Sequence, residues 1–332
     1  GKTDPSTMDP HAANIAPVLG FLNNIYEGLV RRGKDMSLEP ALAESWEALG
    51  SDGWRFNLRR GVVFHDGQSF DADDVVFSYE RAGSEQSDVR SFFASVTEVR
   101  KVDRYTVDFL TSAPNPLFPD GIANFMIMDK GWAEANGVER PARDAENLAT
   151  RTANGTGAFK LAAREPDIRT VIVPHDRWWD AAEHNITEAT FTPISSSATA
   201  VAALLSGEVD FVEPIPLQDV PRIQRTEGFT VHGGIEARVI FFGFEHQDDE
   251  LRYSDVTGKN PFQDARVRQA VYHAINADAI VDRIMRGNAQ TAGLLISPSV
   301  RGFNAALNER LPYDPDRARA LLAEAGYPEG FS

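Results

Sequence analysis

With 332 residues, 42 % of them hydrophobic and 25 % charged, the chain has an ordinary soluble globular composition and the length of about two domains. Its net charge of −16 argues against nucleic acid or an anionic membrane as partner, and the lack of cysteine excludes disulfides, thiolate zinc sites and cysteine nucleophiles. No stretch is long and apolar enough to span a membrane, and the opening GKTDPSTMDPH carries no basic-plus-apolar leader, so the chain is cytosolic or already processed.

Asp9-Pro10-His11 opens a loop into a predicted helix over 16–30, with Phe21, Leu22, Ile25 and Leu29 as its apolar stripe and Gly33 as the stop. Two alternating runs follow, 45–49 and 54–58, with the turn cluster Gly50-Ser51-Asp52-Gly53 between them. Alternation places Trp54, Phe56 and Leu58 on one face and Arg55, Asn57 and Arg59 on the other. Asp71 stands where a helix N-cap belongs, with Asp74 three residues on, ahead of the stripe Val75, Val76 and Tyr79. Runs 96–102 and 105–110 read as an antiparallel pair turning at Asp103-Arg104, and Pro114, Pro116 and Pro119 rule out a central strand after it. Residues 130–136 form a short helix ended by Gly137, and a polar surface loop runs on to Asn154.

Gly155-Thr156-Gly157 then leads into a strand ending at Ala163, a Pro166-Asp167 turn and a β-rich run over 170–173, with another strand over 189–194. Ser196 or Ser197 caps a helix reaching Leu205, Gly207 stops it, and Val209, Phe211 and Val212 predict a short buried strand. This order suits an α/β layer. VIFFGF at 239–244 is the most continuous strand signal in the chain, and the polar insert 246–260 is a loop without a core of its own. Three capped helices close the sequence. Asp264 precedes Val267, Val271 and Ile275; Asn276 precedes Ile280, Ile284 and Met285; Asp314 with Pro315 precedes Ala318, Leu321 and Leu322.

Motifs with chemical promise are sparse. His65-Asp66 and His175-Asp176 lack the further ligands a metal needs and read as structural turns. Asp71, Asp73 and Asp74 form a carboxylate cluster, but a helix N-terminus favours acids there. The GTG at 155–157 lacks the Lys-Ser/Thr of a phosphate loop, and Ser195-Ser196-Ser197 is not a nucleophile elbow. No catalytic residue, metal or cofactor is expected. Arg90-Ser91-Phe92-Phe93 is informative in another way: adjacent phenylalanines cannot both face the core from one helix or strand.

The segment 38–81, LEPALAESWEALGSDGWRFNLRRGVVFHDGQSFDADDVVFSYER, resembles the extracytoplasmic solute-binding proteins of peptide and nickel ABC transporters, solute-binding family 5. GTGAFKL at 155–161 is similar to the family's GTGPF strand, with Ala158 where proline is usual, and RWWD at 177–180 to its N-x-x-Y-W turn. AVAALLSGEVDF at 200–211 looks like its A-L-x-x-G-x-x-D unit, and PFQDARVRQAVYHAINADAIV followed by YDPDRARALLAEAGY like the start of its second lobe. Family members usually begin with a strand before the residues equivalent to Thr7-Met8-Asp9-Pro10, and continue past the last helix here to a G-W-x-x-D-x-x-D-P ligand motif. The chain is therefore expected to be a family member cut short within the second lobe.

The resemblance implies an α/β, two-lobed periplasmic-binding-protein-like type II fold with mixed sheets. Residues 1–45 and 155–240 would form the main subdomain of the first lobe, 46–154 its second subdomain, and 241–332 the beginning of the second lobe. It implies an extracytoplasmic, periplasmic, monomeric protein that captures a small solute, a peptide above all, in an interlobe cleft and delivers it to a membrane permease complex. An opine, a sugar-derived solute or a metal chelate stays open as ligand, and a hydrolase or a ligand-sensing module as rival function. The implied ligand residues are Asn14 in the loop after His11, Tyr26, Arg90 with Phe92 and Phe93, the segment Asn124, Phe125 and Met126, and Phe242 in the crossing strand. Arg90 suits a carboxylate, which a guanidinium meets in bidentate fashion.

Overall fold

A computed structural model describes residues 4–143, 145–234 and 238–332. The chain forms two compact units, Gly1–Ile215 and Pro216–Ser332.

The first unit begins with α1 (Ala16–Leu22), then β1 (Val30–Arg32), β2 (Leu38–Pro40), β3 (Ala43–Ala48) and β4 (Gly53–Leu58). The predicted hairpin is β3–β4, and alternation works as expected: Phe56 and Leu58 are buried while Arg55 and Asn57 on the opposite face are partly exposed. Next come α2 (Ala72–Ala82), a 3₁₀ turn at Arg90–Phe93, and the pair β5 (Val96–Asp103) and β6 (Thr106–Thr111). The sheet order is β3-β4-β6-β5, and every pairing is antiparallel. Arg55 lies opposite Asp108 and grips it with two hydrogen bonds of 2.7 and 2.8 Å, a cross-strand pair that helps set the register. α2 packs against β5 and β6. Its start is a complete capping box: the Asp71 carboxylate accepts from the Asp73 N–H, and the Asp71 N–H donates to Asp74 at 2.9 Å.

Short helices α3 (Phe118–Gly121), α4 (Lys130–Ala135) and α5 (Leu148–Arg151) lead to a second antiparallel sheet of β7 (Phe159–Glu165), β8 (Arg169–Pro174) and β9 (Ala189–Phe191). α1 packs here, with Val18, Leu19 and Leu22 joining Phe159 and Ile172 in one apolar cluster. The predicted helix over 16–30 stops at Leu22. The carbonyls of Asn24 and Ile25 turn away to accept the N–H groups of Phe159 and Gly157, both at 2.9 Å, instead of continuing the helical ladder. Glu27 is fixed by two indoles: Trp178 and Trp179 donate to its carboxylate at 3.2 and 2.9 Å, which ties the RWWD turn to the strand region before β1.

α6 (Ser197–Ser206) is capped by the Ser196 hydroxyl and closed by Gly207 in the left-handed region. The short strand expected at 209–212 does not form: among the described residues it joins no sheet, and Phe211 is 75 % exposed.

The second unit carries α7 (Val220–Gln224), α8 (Ala265–Ala274), α9 (Ala277–Ala279) and α10 (Pro315–Glu324). α8 and α10 pack on each other through Ala270, Ala318 and Leu321. Asp264, Asn276 and Asp314 all cap as predicted. The helix expected after Asn276 departs from α geometry, passing into a π-turn at Ile280–Ile284. Ile284 is 67 % exposed, so no packing enforces the α ladder there. The 239–244 run is no strand among the described residues: it joins no sheet, and Ile240, Phe241 and Phe242 are all exposed. Apolar alternation favours a strand, but a strand needs a partner edge. The polar insert is a loop, as expected, closed by buried Asn260, whose amide donates to the carbonyls of Glu245 and Asp248.

Candidate functional site

Three loops of the first unit hold most of the sequence-predicted ligand residues, and the structure brings all three to His11. The Asp88 N–H and the Ser87 hydroxyl donate to the His11 carbonyl at 3.0 and 3.2 Å. The His11 ring Nε2 meets the Met126 carbonyl at 2.9 Å, and its face stacks on Phe125 at 6.0 Å. Residues 11–14, 87–93 and 124–127 thus converge although they lie far apart in sequence.

At their surface stand Asn14, Arg90 and Asn124, all exposed. Among the described residues no carboxylate pairs with Arg90. Phe92 is half-buried, packed at the edge of the larger core cluster, while Phe93 is buried, edge-on to Tyr79 at 5.1 Å and to Phe125 at 4.8 Å. The two adjacent rings therefore part company, Phe92 partly exposed at the edge of the core cluster and Phe93 within it. Tyr26, Phe125 and Met126 are fully buried behind that rim. The Tyr26 hydroxyl faces the Asn154 backbone without a hydrogen bond of ordinary geometry, and burial raises its pKa well above the usual range, the Asp9 charge adding to the effect.

Beneath the rim lies a buried ion pair. Arg81 donates to both Asp9 oxygens at 2.7 and 2.6 Å, to the Val138 carbonyl at 3.0 Å and to the Arg140 carbonyl at 3.3 Å. Neither side chain of the pair reaches solvent. Burial alone would raise the Asp9 pKa, but the Arg81 hydrogen bonds and charge outweigh it and hold the carboxyl below the usual range. Arg81 also meets the His11 Nδ1 at 3.0 Å. A guanidinium only donates, so Nδ1 accepts and the ring proton sits on Nε2, facing the Met126 carbonyl. Burial, then the Arg81 charge, holds the His11 pKa at about 4, and the ring is neutral.

Neither His11 nor Arg81 was singled out from the sequence. The available signal was the spacing Asp74, Ser78, Arg81, a polar row at helical period that lies on the buried face of α2. Ser78 likewise serves the rim, accepting from the Met128 N–H at 2.8 Å and donating to its carbonyl at 3.2 Å. Among the described residues no group of three His, Asp or Glu is arranged to hold a metal. In the second unit Phe242 lines a shallow apolar depression of about 450 Å³ with Ile275, Ala279, Ile280 and Ile284.

An antiparallel α/β first unit bearing a loop rim of this kind fits the type II periplasmic binding fold. The chain belongs to the bacterial extracellular solute-binding proteins, family 5, whose middle region matches residues 37–332. It is 31 % identical over 317 residues to the dipeptide-binding protein of Escherichia coli (strain K12), covering 88 % of this chain and 56 % of that protein. To the glutathione-binding protein GsiB of Salmonella paratyphi A it is 27 % identical over 331 residues, covering 98 % and 60 %. The solved structure of the ABC transporter-associated periplasmic binding protein DppA from Helicobacter pylori, in complex with peptide STSA, matches at a TM-score of 0.77 and 26 % identity, over 99 % of this chain and 65 % of that one. The chain thus spans 56–60 % of the length of these curated relatives. Among the described residues no helix is long and apolar enough to cross a membrane.

Proposed function

We propose that this chain is the solute-capturing part of an ABC import system, that its solute is a peptide, and that it works outside the cytoplasm as a monomer that hands its guest unaltered to a membrane permease. No nucleic acid, cofactor or catalytic step enters this reading. The observation that carries it is the family match over 37–332 together with the convergence of the three loops on His11. The rim chemistry suits a peptide. Arg90 offers a fork for a carboxylate, Asn14 and Asn124 offer donors and acceptors for amides, and Phe92 offers an apolar edge. Phe242 is proposed as a further apolar contact for a solute, and Tyr26, Phe93, Phe125 and Met126 as the packing that holds the rim.

The test is thermal melting of the full chain against dipeptides, glutathione, an opine, a sugar-derived solute and a nickel chelate, beside a hydrolysis screen. A peptide present at about 100 times its Kd is expected to stabilise the fold by about 2.7 kcal/mol, with no turnover. Turnover without stabilisation would establish a hydrolase instead, and stabilisation by the opine, sugar or chelate alone would reassign the solute.

A further inference from the structure

The rim loops meet at one buried residue, and only one arrangement of its ring protons serves. His11 binds the 87–93 loop through its carbonyl and the 124–127 loop through its ring, while its own chain continues directly into Asn14. With Arg81 donating to Nδ1, the ring has a single free proton, and that proton meets the Met126 carbonyl. Resting on the solute-binding reading above, we propose that His11 is the positioning residue of the rim: its neutral ring, locked between Arg81 and the Met126 carbonyl, sets the spacing at which Asn14, Arg90 and Asn124 meet a solute. The charged and titratable groups around it are Asp9 and Arg81 at the ring, Tyr26 behind Asp9, and Asp88, paired with Arg143, on the loop at its carbonyl. A purely structural histidine would hold the whole unit to the same degree. A positioning one holds these loops selectively.

Two substitutions in the full chain separate the roles. The amide of His11→Gln reaches where Nε2 lies and can donate to the Met126 carbonyl, whereas that of His11→Asn reaches only the Nδ1 position. Hydrogen exchange is read for each variant beside calorimetric binding of an alanine dipeptide and glutathione. His11→Gln is expected to keep loop protection and an affinity within about threefold of the parent, while His11→Asn loses about tenfold in affinity. In His11→Asn the amides of 124–127, the loop that the ring holds, should exchange faster while those of α2 and β4 do not change. Unchanged loop protection in His11→Asn, or a uniform loosening of the whole unit, would overturn the proposal. Should His11→Asn not fold, Ser87→Ala removes the hydroxyl that donates to the His11 carbonyl and accepts from the Val89 N–H; it should loosen 87–93 alone, and the absence of that effect is equally decisive against the idea. A parent chain that binds neither probe sinks the solute reading, while the exchange pattern still decides whether His11 ties the loops.

Discussion

His65 and His175 meet edge to face at 4.9 Å, and both rings point a nitrogen at the carbonyl of Gly157, at 3.1 and 3.3 Å. The Gly155 N–H donates to the other nitrogen of His65 at 3.3 Å, so this ring is neutral with its proton on Nε2. The His-Asp pairs thus act as the structural turns expected of them, anchoring the 155–157 loop. Burial is the main cause holding the His65 pKa at about 4, against 6.5 in an unfolded chain. The unfolded state therefore binds the extra proton between pH 6.5 and 4, and His65 costs stability progressively as pH falls through that window, by up to ~3 kcal/mol. His65→Gln keeps a donor for the Gly157 carbonyl but does not titrate. Urea unfolding at pH 7.5, 6 and 4.5 should show the parent losing ground to the variant on acidification, with the gap growing below pH 6.5.

At the scale of elements, the hairpin β3–β4, the capping box of α2 and the three caps of the second unit were legible because each depends on residues a few positions apart. The length of α1 was not, because its continuation competes with the 155–157 loop for the carbonyls of Asn24 and Ile25. Gly157 belongs to that contest. A Cβ there would lie 2.6 Å from the Asn24 carbonyl oxygen and 2.7 Å from the Ile25 carbonyl carbon. Gly157→Ala must push backbone from backbone and is expected to destabilise by ~1–3 kcal/mol. Gly20, inside α1 with nothing near its missing Cβ, is the control: Gly20→Ala should stabilise by ~0.5–1 kcal/mol. Urea midpoints of the two variants should move in opposite directions. The 239–244 and 209–212 runs failed as strands for a related reason, since a pattern of side chains cannot supply the neighbouring strand that completes it.

For the whole molecule, the apolar clusters built around Phe56, around Tyr26 and around Met128 all close within residues of the first unit. Among its described residues the second unit has the small α8–α10 core and leaves Phe241, Phe242, Ile284, Leu295 and Leu307 exposed. A chain ending at Ile215 is therefore expected to fold alone with one cooperative urea transition, followed by circular dichroism. The isolated remainder should melt earlier and bind a hydrophobic dye.

Local chemistry in the chain was enough to establish an α/β protein with capped helices and antiparallel hairpins, and its motif order was enough to place it among solute-binding proteins. The rim loops were visible as separate segments. That they meet at one imidazole was not, because the contact from His11 to Met126 spans 115 residues and the ion pair beneath it spans 72. Which polar groups are buried together, and which proton each must then carry, depends on burial and mutual distance, and those quantities exist only once the chain has folded.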